Sequence, residues 1–143
     1  MEYHILEPEV AGGLGEGTVM NRSVHPPDVK LLHYNFDGWL GDVLVESFPC
    51  FIVTVEAVKK LQGLPATGVD FGDVRVTKSA QFQEIHPYQT LPEFKWLKVI
   101  GKAGREDFGL ASDFRLVVSD RVLHVLRSLG LSNALIEVFQ PES

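Results

Sequence analysis

An α+β fold is what this sequence predicts: a mixed or mostly antiparallel sheet with a few short helices, in one domain over residues 1–143. Three observations predict it. A short apolar run leads into a capped helix twice, at residues 51–54 and 116–119, and each helix is followed by another strand-like stretch. The other apolar runs have strand length and are separated by Gly, Pro and Asp. The chain of 15.9 kDa also has ordinary globular composition, 45% hydrophobic and 22% charged, which excludes disorder and collagen.

The elements follow in order. Residues 2–6 read as a strand, and so do 43–47. Pro26-Pro27-Asp28 precedes Val29 to Leu32, read as a short helix or turn, and Asp37-Gly38 marks a turn before Trp39. Residues 51–53 form a strand ending at Thr54, a hydroxyl that accepts a bond from an orphan amide of the helix 55–62, which Gly63 closes. A strand at 69–76 follows, then a short helix at 81–86 stopped by Pro87. In the strand at 94–100, Phe94, Trp96 and Lys98 alternate with Lys95, Leu97 and Val99, which predicts one face better covered than the other. Residues 116–118 repeat the earlier pattern with Ser119 as cap. Val122, Leu123, Leu126 and Leu129 then form one apolar stripe, Gly130 ends the helix, and residues 134–139 make the last strand.

Charge is distributed unevenly. Residues 1–50 hold eight acids against two bases, whereas residues 51–143 hold eleven of each, so the net charge of −6 lies in the first third. Such a field repels nucleic acid and anionic membranes and speeds encounter with basic proteins. No apolar run reaches the length of a membrane span, and the first residues lack the basic and apolar regions of a signal peptide. The single cysteine, Cys50, rules out an internal disulfide and suits a reducing cytosol, so a cytoplasmic location is expected.

No catalytic, cofactor or metal set emerges from the motifs. Gly12-Gly13-Leu14-Gly15-Glu16-Gly17 lacks the Lys-Ser/Thr of a phosphate loop and the glycine spacing of a dinucleotide fold, and reads as a hairpin loop using glycine where φ is positive. Cys50 sits in an apolar strand without the cation a reactive thiolate needs. His4, His25, His33, His86 and His124 show no metal-binding pair at His-x3-His spacing. Glu106, Asp107 and Asp113 lie among glycines and read as turn residues or a recognition loop. The aromatics Tyr34, Phe36, Trp39, Phe48 and Phe51 cluster in the acidic third. Exposed beside Asp37 and Asp42, Tyr34 or Trp39 would give the anchor-plus-charge makeup of a protein interface.

Several stretches together carry a resemblance: Gly12-Gly13-Leu14, Phe36-Asp37-Gly38-Trp39-Leu40-Gly41-Asp42, Trp96-Leu97-Lys98-Val99-Ile100-Gly101 with Asp107-Phe108-Gly109, and Leu116-Val117-Val118-Ser119 before Val122-Leu123. Over residues 2–139 the chain resembles a family of bacterial immunity proteins from polymorphic toxin systems, formerly a domain of unknown function. The resemblance implies a non-enzymatic protein without cofactors that neutralises a cognate toxin by stoichiometric occlusion. An acidic inhibitor suits a basic, nuclease-like toxin. Asp37, Trp39, Asp42 and Glu46, with Glu106 and Asp107 as a second patch, are the expected partner-binding residues. A homodimer through an exposed sheet edge is compatible with this reading. The alternatives are a small-molecule-binding regulatory module and a small hydrolase.

Overall fold

A computed structural model of the protein describes residues 2–141. Along the chain come β1 (Tyr3–Glu7), β2 (Gly12–Leu14), β3 (Val19–Asn21), β4 (Asp28–Leu31), β5 (His33–Phe36), β6 (Leu44–Ser47) and β7 (Cys50–Thr54). Helix α1 (Val55–Gly63) leads to β8 (Val69–Gly72) and β9 (Arg75–Lys78), then α2 (Ala80–Ile85) and β10 (Phe94–Val99). The last elements are β11 (Phe108–Leu110), β12 (Leu116–Ser119), α3 (Asp120–Leu129) and β13 (Leu135–Val138). The expected α+β class holds: strand pairing is antiparallel except between β5 and β9.

The middle layer is the sheet β6-β7-β10-β8, covered on both faces. Side chains alternate across a strand. Along β7, Phe51 and Val53 therefore enter one core with Val122, Leu123 and Leu126 of α3, while Cys50 and Ile52 enter another with Tyr34, Phe36 and Phe82. Two-sided burial explains why residues 50–53 are apolar without a break. It also corrects the reading of β10 as one-sided. Phe94 and Trp96 pack into the second core and Leu97 and Val99 into the first, so both faces are covered.

The two capped units have the same topology. In the middle sheet, β7 and β8 flank the antiparallel β10, with α1 between them in the chain; in β11-β12-β1-β13, β12 and β13 flank the antiparallel β1, with α3 between them. Thr54 Oγ1 accepts from Ala57 N–H, and Ser119 Oγ from Val122 N–H, both at 3.3 Å, and the two helices pack on each other. Gly130 takes φ +129°, a region that favours glycine, as the expected helix end. Helix α1 differs. It runs through Gly63 to a cap at Leu64 in right-handed geometry, whose N–H reaches the carbonyls of Lys60 and Leu61.

Three other expectations change. The strand at 69–76 is two strands in different sheets, because the chain leaves β8 at Gly72 and β9 pairs in parallel with β5. Residues 29–32 are not helical: β4 pairs with β3, and the alternation of Asp28 and Lys30 with Val29 and Leu31 has the period of a strand. The glycines of residues 12–17 do not have positive φ; Gly12 and Gly15 answer to close approach, whereas Gly13 faces open space. A Cβ on Gly12 would overlap the Asn35 carbonyl, and one on Gly15 would overlap the His33 ring.

Candidate functional site

The six expected partner-binding residues separate into two kinds. Asp42 and Asp107 are buried, at 2% and 4% exposure, and their carboxylates are spent inside the protein. Asp42, just before β6, accepts from Ser132 N–H at 3.0 Å and Asn133 N–H at 2.8 Å, in the loop that leaves α3. Asp107, just before β11, accepts from Thr67 N–H at 2.8 Å, in the loop that leaves α1. Each aspartate thus latches its own unit to the loop after the other unit's helix. Asp107 also takes Ser119 Oγ–H at 2.6 Å and Arg121 Nε–H and Nη2–H at 2.8 and 2.7 Å. The Arg121 guanidinium, more than the opposing cost of burial, holds its carboxyl far below the ordinary range. These two residues are corrected from partner contacts to structural latches. A buried carboxylate must find donors, and here the donors are all internal.

Asp37, Trp39 and Glu46 remain at or near the surface. Asp37 is exposed, and the half-buried Trp39 is fixed by its Nε1–H donating to the Asp42 carbonyl at 2.9 Å and by an edge contact with Phe94 at 6.0 Å. Asp37 and Trp39 line one groove of about 410 Å³, together with Glu9, Leu40, Gln81 and His86. The fixed charges of its lining are both acids, Glu9 and Asp37. Glu106 lies outside that groove, half-buried, with its carboxylate accepting from Lys102 N–H. Tyr34 is wholly buried, its hydroxyl donating to the Glu46 carbonyl at 2.9 Å and accepting from Ala11 N–H at 3.0 Å.

Glu9 is the residue that the sequence did not single out. One carboxylate oxygen accepts from Leu40 N–H at 2.9 Å; the other, Oε1, is shielded from solvent without a hydrogen-bond partner among the described residues. Burial, with help from the Asp42 charge, raises its pKa. Beside it, Glu46 N–H donates to the Glu9 carbonyl at 2.9 Å, and burial followed by the Glu7 charge pushes the Glu46 carboxyl up to about 6. Each of these two carboxylates is therefore held where its charge is costly. The sequence signal, Glu7-x-Glu9 after the first strand, was available only as part of the acidic excess.

Other candidate chemistry is weaker. Cys50 borders a cavity of about 210 Å³ beside Pro49, Trp96 and Lys98, but burial pushes its thiol up to about 12, the opposite of what a nucleophile requires. His33 Nδ1 accepts from Gly17 N–H at 2.9 Å and Nε2 lies 2.7 Å from Thr77 Oγ1, which donates to Asn35. That network pins the turn after β2 to the neutral ring. Glu2, His4 and Asp120, separated in the sequence, come together with ligand atoms within 4.8 Å of one another. No helix among the described residues is long and apolar enough to cross a membrane. The chain matches no protein-family model and no curated protein sequence.

Proposed function

We propose that this protein binds and blocks a basic protein partner, in the manner of the toxin-neutralising immunity proteins that its sequence resembles. The observation that carries the reading is the groove between Glu9 and Asp37. It is walled by a fixed tryptophan, its fixed charges are both negative, and all of its lining but Gln81 and His86 comes from the third of the chain that carries the whole net charge. A Lys or Arg side chain entering it would meet carboxylate and ring together. Glu46, on β6, lies outside the groove lining, with its N–H bonded to the Glu9 carbonyl. Its raised pKa marks a charge that the folded protein tolerates rather than uses, and a partner's cation beside it would offset that cost. Asp42 and Asp107 hold the two units together.

The test is capture by the tagged protein from its cells of origin, followed by association kinetics with the retained partner. A basic protein held one-to-one, whose capture fails with the folded Asp37→Lys variant, supports the reading. Equal capture by wild type and variant contradicts the assignment of the groove, and no retained partner at low salt contradicts the binding function.

A further inference from the structure

Away from that groove, the fold assembles a donor set that no short motif encodes. His4 lies on β1, on the same face as the core residue Leu6, and its side chain is 13% exposed under the start of α3. Asp120 opens α3, and its N–H donates to the Glu2 carbonyl at 3.0 Å, which ties the approach to β1 to the helix. His4 Nε2 stands 3.0 Å from Asp120 Oδ1. Glu2 completes a set of one imidazole nitrogen and two carboxylate oxygens, all within 4.8 Å of one another. Around one tetrahedral zinc ion, donor atoms lie roughly 3.3 Å apart, given metal–ligand bonds of about 2.0–2.2 Å. The His4–Asp120 pair already has close to that spacing, and the exposed Glu2 side chain has the freedom to close the rest.

The exposed His124, four residues after Asp120 on α3, lies outside this set. A nitrogen donor among carboxylates selects the borderline transition cations over magnesium or calcium.

We propose that Glu2, His4 and Asp120 form a binding site for a divalent transition cation of the zinc class. Binding replaces the contact between His4 and Asp120 with shared coordination and releases any proton on His4 Nε2 to solvent. Because β1 is the strand inserted between β12 and β13, the ion fastens the start of the chain to α3 and stabilises that sheet.

The experiment is thermal unfolding in EDTA, in ZnCl2 and in MgCl2, with Co2+ absorption as a direct readout of nitrogen and oxygen ligation. The variants are Glu2→Gln and Asp120→Asn, both at exposed positions. The wild type is expected to melt higher in zinc than in EDTA and no higher in magnesium. Each variant, melting normally in EDTA, should need at least about tenfold more zinc for the same rise, since even changes behind a metal's ligands cost that much. No zinc-dependent rise in the wild type overturns the proposal, and so does an undiminished rise in the double variant.

Discussion

Replacing Asp107 by asparagine tests the latch between the two units. Asp107 is 4% exposed and receives five donors: Arg121 Nε and Nη2, Ser119 Oγ, and Thr67 N and Oγ1. Asparagine keeps one acceptor oxygen and turns an NH2 group toward the donors that faced the other. Breaking a buried ion pair costs about 3–5 kcal/mol, but the Arg121 side chain is 41% exposed and recovers part of its hydration. The balance is a loss of about 3 kcal/mol at pH 7, or about 6–12 °C in Tm for a chain of this size. Asp42→Asn, which loses bonds to Ser132 and Asn133 but no cation, should cost less, about 2 kcal/mol. The assay is urea unfolding followed by tryptophan fluorescence. The sign in pH is fixed because the folded pKa of Asp107 lies below its unfolded value near 3.8. Its stabilisation is complete above that value and is lost as pH falls through the folded one, so Asp107→Asn should flatten the acid limb. A loss under about 0.5 kcal/mol, in the range of an ordinary surface change, would refute the latch.

Further predictions concern single groups. Burial, then the Arg75 charge, lowers the His33 pKa against an opposing pull from Glu16. Its contribution is therefore complete above pH 6.5 and lost as pH falls through the folded value, and Tm should drop between pH 7 and pH 5 less steeply in His33→Gln than in wild type. Glu46 has the opposite sign: a carboxyl raised to about 6 destabilises once it ionises, so Glu46→Gln should melt higher than wild type at pH 8 and not at pH 4. Equal melting at pH 8 would remove the argument that this charge is kept for a partner. Cys50, with its thiol pushed up to about 12 and only 4% exposed, should resist iodoacetamide at pH 8 until urea unfolds the chain; rapid alkylation of the folded protein would contradict its burial.

The parts of the fold that were legible are those whose signals are local. Thr54 and Ser119 cap helices because a hydroxyl before an apolar period is a local device; strand-length stretches placed β1, β6 and β12, and the period-2 pattern placed β10, within a residue or two. What was not legible depends on pairing at a distance. Nothing near Gly72 announces that the chain changes sheets there, since β9 is defined by its parallel partner β5. The same holds for the site. Asp37 and Trp39 were found because turn, charge and ring are adjacent in the chain, whereas Asp42 and Asp107 look identical to surface acids until the loops around Ser132 and Thr67 close over them. Glu9 enters the groove only through the Glu9 bridge to Val45 beside β6, and Glu2, His4 and Asp120 meet because β1 lies beside β12.

The central claim is that the acidic groove between Glu9 and Asp37, together with the Glu46 charge on β6, receives a basic protein. Stopped-flow association of the captured partner with wild type and with an Asp37→Lys/Glu46→Lys double variant, from low to high salt, tests it most directly. The account predicts fast, strongly salt-dependent association for wild type, slowed by at least about tenfold at low salt in the variant, with the two rates converging at high salt. Equal rates at low salt, with both proteins folded, would contradict it.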